Sequence, residues 1–443
     1  MRRAIYRSLR AFSALDHWLR ERLTRAGWLL FGTAGAAGAA GIDLNQTLTA
    51  QAFTFLAALL VLAYAASLFF RARLEVSRDI PRYATAGERF VYRVTVSNRG
   101  SATLSGATLA ERFGDPRPGF EEWRAAREPG EERRNWFDRS VGYFRWRWLI
   151  ERRVPDAAEE APLPALASGQ SHSVRLGFLP RRRGRIELVG LSVARTDPLG
   201  LMKGLVRVPL AARVIALPKR YRIPALALPG ARRFQQGGVS LAASVGDSEE
   251  FLSLRDYRPG DPLQRLHWKS FARTGKPIVK EFQDEFFERH ALVLDTGSAR
   301  GEDAAFEDAV ALAASFVYTI DTRECLLDLL FVSGEVSTYT AGRGQLHAEH
   351  MLEVLAAVAA SPPARFEALG AAVLAKRGAL SSIIAVLLAW DEPRRRFVAA
   401  ARASGLEVRA LLVCAPGDAP PRREAGLRVL HPGEIERGLA GLR

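Results

Sequence analysis

The chain has 443 residues, and at roughly 150 residues per domain this length predicts about three folded units. Hydrophobic residues make up 48% and charged residues 25% of the chain, a balance that excludes a wholly disordered chain, a collagen and a polytopic carrier. Two cysteines, Cys325 and Cys414, are too few for a disulfide framework, so we expect small buried side chains in a reducing compartment. The net charge of +15 indicates an anionic neighbour, either nucleic acid or lipid.

The N-terminal region has the pattern of a basic leader followed by a two-helix membrane hairpin. Residues 1–25 are rich in arginine, and their apolar residues recur at the spacing of an amphipathic helix on a membrane surface: Ile5, Leu9, Phe12, Leu15 and Leu19. Residues 26–71 contain two uncharged stretches. The second, from Ala50 to Phe70, is long enough for a bilayer core, which needs about 20 residues.

The first uncharged stretch is marginal by itself, and it is plausible as one half of a hairpin. Its glycines at positions 32, 35, 38 and 41 would allow close contact with alanines of the second stretch. A buried soluble hairpin and a cleaved signal peptide are the alternatives, although the long basic leader argues against a signal peptide.

Arginine placement predicts the orientation of this hairpin. Basic residues precede it and follow it at Arg71, Arg73 and Arg78, whereas the turn between the two stretches contains no lysine or arginine. The positive-inside rule therefore places both termini and the soluble domains in the cytoplasm of a bacterial inner membrane.

The sequence pattern of residues 72–222 predicts a β-sandwich. Residues 89–97 alternate apolar and polar side chains, and strand-like runs follow at 143–150, 173–178, 186–193 and 206–217. Residues 112–160 are dense in charge and hold four tryptophans, so we interpret them as an insertion whose aromatic side chains cover the sandwich edge or contact lipid headgroups. Twelve basic residues lie between Arg175 and Arg222. Because no nucleic-acid-binding motif accompanies them, anionic lipid of the inner leaflet is favoured over nucleic acid as the partner of this basic surface.

Residues 223–290 contain a linker and the most distinctive segment of the chain. Its turn residues and closely spaced charges favour a structural or docking role: Arg255, Tyr257, Pro259, Gly260, Asp261, Arg265, Trp268 and Arg273. Asp261 is expected to accept backbone hydrogen bonds in the Pro-Gly turn, or to cap a helical turn over residues 263–268. We expect four of these residues, Arg255, Asp261, Arg265 and Arg273, to support the junction between the sandwich and the C-terminal domain. No nucleophile with a base, metal cluster or pair of acids marks a catalytic site.

This segment resembles the signature of the bacterial family called domain of unknown function 58. The matching features are a Glu-Phe pair, a Leu-Arg-x-Tyr run, Pro-Gly-Asp, an Arg before a Trp, and an Ala-Arg pair. A second similarity lies upstream, at Arg183-Gly184-Arg185 and Asp197–Leu201. His267 replaces an acidic residue of the family pattern, which we interpret as a changed hydrogen bond. The resemblance covers nearly the whole chain, and it implies a von Willebrand factor A-like C-terminal domain and a MoxR-type AAA+ ATPase as partner.

Residues 291–443 alternate strands and helices, which predicts a doubly wound parallel sheet with its ligand edge at the strand carboxyl ends. Asp295 and Asp391 would lie at that edge. A von Willebrand A-type Mg²⁺ site has Asp-x-Ser-x-Ser after its first strand, but Gly297 and Ala299 occupy both serine positions here. With two oxygen ligands missing, we expect no tight divalent cation.

Together these features predict a membrane-anchored cytoplasmic scaffold or adaptor, not an enzyme, with no cofactor. The chain is expected to work with the MoxR-type ATPase in assembly or envelope-related processes, and it could form oligomers. Two alternatives stay open: a hydrolase acting on envelope material, and a membrane-tethered nucleic-acid-binding protein.

Overall fold

The structure is a computed structural model, and it describes residues 2–40, 47–128, 130–156, 158–224, 250–259, 261, 263, 266–283, 288–320, 325–341, 345–415, 424 and 426–440. The chain divides into two compact units. The first comprises Met1–Lys219 with Leu352–Ala357, and the second comprises Arg220–Met351 with Val358–Arg443.

Three helices precede the first strand. They are α1 (Arg2–Arg22), α2 (Arg25–Ala40) and α3 (Thr47–Leu68). Only α3, over Leu48–Leu68, is long and apolar enough to cross a membrane among the helices that the structure describes. Helix α2 has 16 residues and a length of ~24 Å, less than the ~30 Å of a bilayer core.

The glycine packing expected in the hairpin, against alanines of the second stretch, is not found at Gly32, Gly35 or Gly38. A Cβ on Gly38 would lie 3.0 Å from the ring of Phe53, so this glycine does allow a close approach of α3, to an aromatic side chain. A Cβ on Gly32 or Gly35 would meet nothing within 4 Å, so neither is needed for packing. Gly41 lies outside the described residues.

Two sheets follow in the first unit. Their strands are β1 (Leu74–Asp79), β2 (Tyr83–Thr85), β3 (Phe90–Asn98), β4 (Ala107–Phe113), β5 (Glu160–Pro162), β6 (Ser171–Phe178), β7 (Gly184–Thr196) and β8 (Lys203–Leu217). One sheet has the order β1-β3-β6, and the other has the order β2-β8-β7-β4-β5. Side chains from both sheets, such as Val94 of β3 and Leu191 of β7, belong to one buried apolar cluster. Alternating burial along β3 follows the alternation in the sequence.

The insertion between β4 and β5 is helical, and the strand predicted over 143–150 is wrong. Its helices are α4 (Phe120–Ala125), α5 (Trp136–Val141) and α6 (Tyr143–Glu151). Trp123 and Trp146 are buried in a cluster with Ile5, Tyr6 and Leu9 of α1. These aromatic side chains therefore hold the leader helix, a role that neither expectation for the insertion included.

The β7–β8 turn fixes the N-terminal helices to the sheet. The buried carboxylate of Asp197 accepts hydrogen bonds from the backbone N–H groups of Leu201 and Met202, at 2.7 and 2.8 Å. Thr24, between α1 and α2, donates its hydroxyl to the Gly200 carbonyl at 2.6 Å. A Cβ on Gly27 would lie only 2.1 Å from the Leu201 oxygen, so α2 starts against this turn only because residue 27 is glycine.

The second unit begins with a small two-stranded sheet. Strands β9 (Glu250–Asp256) and β10 (Ile278–Gln283) pair antiparallel, and α7 (Trp268–Thr274) lies between them in sequence. Helix α7 starts at Trp268, the last residue of the helical turn expected over residues 263–268. The Leu266 N–H donates to the Leu263 carbonyl at 3.2 Å, and residues 262, 264 and 265 lie outside the described residues, so this turn stays a prediction.

A six-stranded sheet forms the C-terminal part. Its elements are β11 (Glu288–Leu294), α8 (Ala304–Thr319), β12 (Cys325–Ser333), β13 (Glu335–Ala341), α9 (Gln345–Ala357), α10 (Phe366–Ala375), β14 (Ser382–Leu387), α11 (Glu392–Ala403), β15 (Glu407–Val413), β16 (Leu427–Leu430) and α12 (Ile435–Leu439). The order is β13-β12-β11-β14-β15-β16, in which only β13 pairs antiparallel. The strand–helix alternation thus gives the expected doubly wound sheet. Cys325 and Cys414 are buried, as expected.

Candidate functional site

The carboxylate of Asp295 lies at the carboxyl end of β11, at the edge where the sequence places it. Its side chain is 1% exposed. One oxygen accepts a hydrogen bond from the backbone N–H of Gly297 at 2.9 Å, and the other accepts from the N–H of Leu388 at 3.1 Å. The neighbouring strand β14 ends one residue before Leu388, so two adjacent parallel strands hold this carboxylate.

Arg394 of α11 occupies the space in front of Asp295. Its Nε and Nη2 donate to the two carboxylate oxygens at 2.7 and 3.0 Å, and its Nη1 donates to Asp391 at 2.6 Å. The guanidinium also lies 4.5 Å from the centre of the Phe366 ring. Burial alone would lower the pKa of Arg394, but the hydrogen bonds that Arg394 donates to Asp295 and Asp391, together with the negative charges of these carboxylates, outweigh it and raise the pKa.

Sequence reasoning predicted Asp295 and Asp391 at this edge and missed Arg394. The sequence did indicate that a helix starts here. Asp391 lies two residues before Pro393, and an Asp at the N-cap with a Pro in the first turn is typical of a helix start. Asp391 is the N-cap of α11, which puts Arg394 in the first helical turn. Nothing local to Asp391–Arg394 indicates that this turn approaches Asp295.

Gly297 stands at a serine position of the metal-site pattern, and the structure gives a reason for the glycine. A Cβ there would lie 2.9 Å from Nη2 of Arg394 and 3.0 Å from the Cα of Pro363. The hydroxyl of Thr296 donates to the Val332 carbonyl at 2.9 Å, on the side of β12. Among the described residues no group of three His, Cys, Asp or Glu side chains could hold a metal ion. The arrangement around Asp295 suits an arginine, and the absence of a tight cation stays a prediction.

The second predicted set, in the signature segment, contains a bidentate ion pair. Nη1 and Nη2 of Arg255 donate to the two oxygens of Asp261 at 2.7 and 2.8 Å. Asp261 also accepts from the backbone N–H of Arg258 at 2.9 Å, as expected for the turn. The hydrogen bonds from Arg255, followed by that of Arg258, lower the pKa of Asp261 to about 2.

Large apolar side chains project from the same segment into solvent. Four are well exposed: Leu254 (42%), Leu263 (65%), Trp268 (62%) and Phe271 (38%). The Trp268 and Phe271 rings meet edge to face, with centres 6.1 Å apart. In the same segment Leu266 and Val279 are buried and pair through a backbone bridge. Exposed aromatics on a folded support are typical of binding surfaces.

Comparison with protein families identifies this part of the chain. Residues 253–416 match the family "Protein of unknown function DUF58". The resemblance expected from the signature is therefore confirmed over residues 253–416, which include Arg255–Arg273 and the sheet edge at Asp295. Its extension over nearly the whole chain stays a prediction. The uncharacterized protein YeaD of Bacillus subtilis (strain 168) is 28% identical over 215 residues, which is 47% of this chain and 52% of YeaD. The chain thus spans about half the length of this curated relative.

Solved structures resemble the chain only weakly. The CARDB domain of PF1109 from Pyrococcus furiosus has a TM-score of 0.17 at 10% identity and covers 32% of this chain and 91% of that domain. The alkylpurine DNA glycosylase AlkC from Pseudomonas fluorescens has a TM-score of 0.19 at 13% identity and covers 44% of each chain. These values carry no argument about function.

Of the other predicted residues in the signature segment, some make hydrogen bonds within the segment and others are exposed. The backbone N–H of Tyr257 donates to the Pro277 carbonyl at 3.0 Å, which ties the end of β9 to the start of β10. His267 shares a hydrogen bond of 2.6 Å with the Ser270 hydroxyl, and that the substitution changes a hydrogen bond stays a prediction. Pro259 and Arg273 are exposed, while Gly260 and Arg265 lie outside the described residues.

Proposed function

We propose that the protein is a membrane-anchored cytoplasmic scaffold or adaptor, and that the signature segment is the surface by which it binds its partner. The exposed Trp268–Phe271 pair on a small folded sheet carries this proposal. Trp side chains contribute large contact areas at modest entropic cost, and they are enriched among the residues that dominate binding energy.

The ion pair of Arg255 with Asp261 supports the same role. A bidentate pair fixes the turn that follows β9, and both side chains are only partly exposed, at 34% and 16%. A fixed turn lowers the entropic cost of presenting Leu263 and Trp268 to another protein. We regard the pair as a positioning feature rather than a contact with the partner.

The environment of Asp295 favours a binding role over catalysis. Its carboxylate lies against a guanidinium and two backbone N–H groups, a state that supplies neither a general base nor a metal ligand. The alternatives, a hydrolase of envelope material and a nucleic-acid-binding protein, gain no specific support from the described residues.

The anchor in this proposal is a two-span hairpin formed by α2 and α3. The apolar surface of α3 supports it, because Phe53, Phe55, Val61 and Leu62 are exposed. Arginines on both sides of the hairpin favour cytoplasmic termini in the inner membrane, where anionic lipid would neutralise basic residues of the first unit.

A von Willebrand A-like fold for residues 291–443 is part of the proposal. The central position of β11, the antiparallel edge strand β13 and the Asp295 carboxylate at the strand carboxyl edge support it. The resemblance of the signature adds a MoxR-type AAA+ ATPase as the partner, and oligomers are compatible with such a complex.

The test is a pull-down from detergent extract with the full-length protein as bait, with and without ATP. The proposal predicts nucleotide-dependent capture of a MoxR-type ATPase, lost with Trp268→Ala and retained with Trp136→Ala. Trp136 is a matched control, because it is 74% exposed in the insertion of the other unit. Equal capture by both variants, or capture of no such ATPase by the wild type, would reject it.

A further inference from the structure

The C-terminal half of α1 packs against α3 inside the apolar stretch of that helix. One apolar cluster includes Trp18 and Leu19 of α1, Leu23 just after it, and Leu59, Leu60 and Ala63 of α3. The rings of Trp18 and Tyr64 lie 5.9 Å apart between centres. Tyr64 precedes the end of α3 at Leu68 by four residues, or ~6 Å along the helix. When α3 spans a bilayer, this contact therefore lies at the depth of an interfacial helix, about 5–10 Å into the headgroup boundary.

The guanidinium of Arg22 lies at this contact between the two helices. It is 5.4 Å from the centre of the Trp18 ring and 5.8 Å from that of the Tyr64 ring, within the range of cation–π contacts. Its Nε is buried and has no hydrogen-bond partner, and among the described residues no carboxylate pairs with it. Burial of a charged group without a counter-charge is costly, and two aromatic faces offset only part of that cost. An anion that accepts hydrogen bonds from the guanidinium would stabilise this arrangement.

The two acids of α1 are engaged by other arginines. Each forms an ion pair: Asp16 with Arg20 at 2.8 Å, and Glu21 with Arg207 of β8 at 2.7 Å. Two further arginines lie at the same end of the hairpin as Arg22, namely Arg25 at the start of α2 and Arg71 after α3. Both are exposed, and in the part of the chain that the structure describes neither pairs with an acid. This end of the hairpin therefore carries positive charge that an anionic membrane surface would attract.

One face of α1 joins Arg22 to an exposed apolar surface. Phe12 is 65% exposed and Leu15 is 54% exposed. Leu15, Leu19 and Arg22 follow Phe12 at the spacing of a single helix face. Leu19 also belongs to the cluster with α3, so the exposed apolar surface is continuous with the contact between α1 and the candidate membrane span. A ligand that has both an anionic group and an apolar chain matches this face better than a purely polar anion does.

We propose that Arg22, oriented by Trp18 and Tyr64, binds the phosphate of an anionic phospholipid in the inner leaflet, with the exposed apolar face of α1 against its acyl chains. A planar guanidinium matches phosphate oxygens with paired hydrogen bonds. A headgroup without a cation is favoured, because choline would bring a positive charge towards Arg25. This inference rests on the proposed membrane anchor, and it adds one lipid site with a stated headgroup chemistry.

The test is native mass spectrometry of the full-length protein in detergent, titrated with phosphatidylglycerol. Saturable binding of one lipid is expected, with a lower apparent Kd than for phosphatidylcholine. Arg22→Gln should weaken this binding about tenfold or more, because it removes hydrogen bonds from a charged donor. Arg7→Gln is the matched control and should bind like the wild type, since Arg7 is exposed on the N-terminal half of α1 and its loss removes the same charge. Soluble glycerol 3-phosphate, which has no acyl chains, should not displace the lipid.

A second arm separates the lipid site from folding and from the anchor. Arg22→Lys keeps the charge but loses the paired geometry, so its affinity should lie between those of the wild type and Arg22→Gln at equal thermal stability. Carbonate extraction of membranes checks the anchor, and Arg22→Gln should stay in the membrane. Release of the wild type would reject the anchor and the lipid site together. Retention with equal phosphatidylglycerol affinity for the wild type and Arg22→Gln, equal affinity for the two lipids, or displacement by glycerol 3-phosphate would overturn the lipid site alone.

Discussion

The guanidinium of Arg394 and the carboxylate of Asp295 form a two-hydrogen-bond ion pair in which each side chain is 1% exposed. They are 99 residues apart in sequence, and they meet at the edge of the sheet where this fold class places ligands. An arginine thus occupies the space in front of the carboxylate at this edge. Arg394 covers the Asp295 carboxylate, whereas Trp268 and Phe271 of the signature segment are exposed.

The first prediction concerns the stability of this pair. Arg394→Met should lower the free energy of unfolding by about 3–5 kcal/mol, because it leaves a buried carboxylate without its counter-charge. Chemical denaturation of the full-length protein in detergent measures this free energy, with the unfolding of the second unit as the observed transition. Arg396→Met is the control on the same helix: Arg396 is 75% exposed and pairs only at the surface with Glu392, so its loss should cost at most ~1 kcal/mol. Similar losses for both variants would contradict the account.

The second prediction concerns metal. Calorimetric titration of the protein with Mg²⁺ or Mn²⁺ should show no tight saturable site, because the oxygens of Asp295 already accept four N–H donors and two hydroxyl ligands are missing. Low-micromolar binding that disappears with Asp295→Ala would show that the cation displaces Arg394, contrary to this expectation.

The third prediction concerns pH. The carboxyl of Asp261 should titrate with a pKa of about 2, and the Arg255→Ala variant should shift this value up towards the ordinary ~3.9. Because the folded-state pKa is lowered, the stabilisation by Asp261 is fully present above pH ~4 and is lost as the pH falls towards 2. Carbon NMR titration of the labelled carboxyl reports it directly. A normal pKa in the wild type would mean that the pair with Arg255 does not form in solution.

The fourth prediction concerns topology. A reporter fused after Arg443 should behave as cytoplasmic, and a reporter inserted near Asn45 should behave as extracytoplasmic, because arginines flank both ends of the hairpin. Exclusively cytoplasmic signals from both positions would indicate that α2 and α3 do not span the membrane as a pair.

Much of the fold could be read from local patterns, and the misses have a common cause. Residues 89–97 alternate apolar and polar side chains over most of their length, and β3 (Phe90–Asn98) shows alternating burial. Residues 143–150 also alternate aromatic and arginine side chains, yet they form α6, in which Trp146 and Leu149 are the buried residues at helical spacing. That burial depends on Tyr6 of α1, whose ring lies 5.5 Å from Trp146. A contact between segments so distant in sequence leaves no local signal.

The candidate site shows the same division. The position of Asp295 follows from the end of a strand, and the Arg255–Asp261 pair follows from closely spaced charges around a turn. Arg394 was missed because its contact with Asp295 depends on how α11 packs against the sheet. The exposure of Trp268 was equally unpredictable, since a tryptophan in a structured segment is more often buried than exposed.

The central claim, that the signature segment is a docking surface, is tested most directly by one variant measured in two ways. For Trp268→Ala in the full-length protein, affinity for the purified MoxR-type ATPase should fall about thirtyfold, as expected for a binding residue worth ~2 kcal/mol. The thermal unfolding curve should stay unchanged, because the Trp268 side chain is 62% exposed. Unchanged affinity, or a loss of affinity that accompanies an equally lowered melting temperature, would contradict the claim and make the segment part of the fold's internal support.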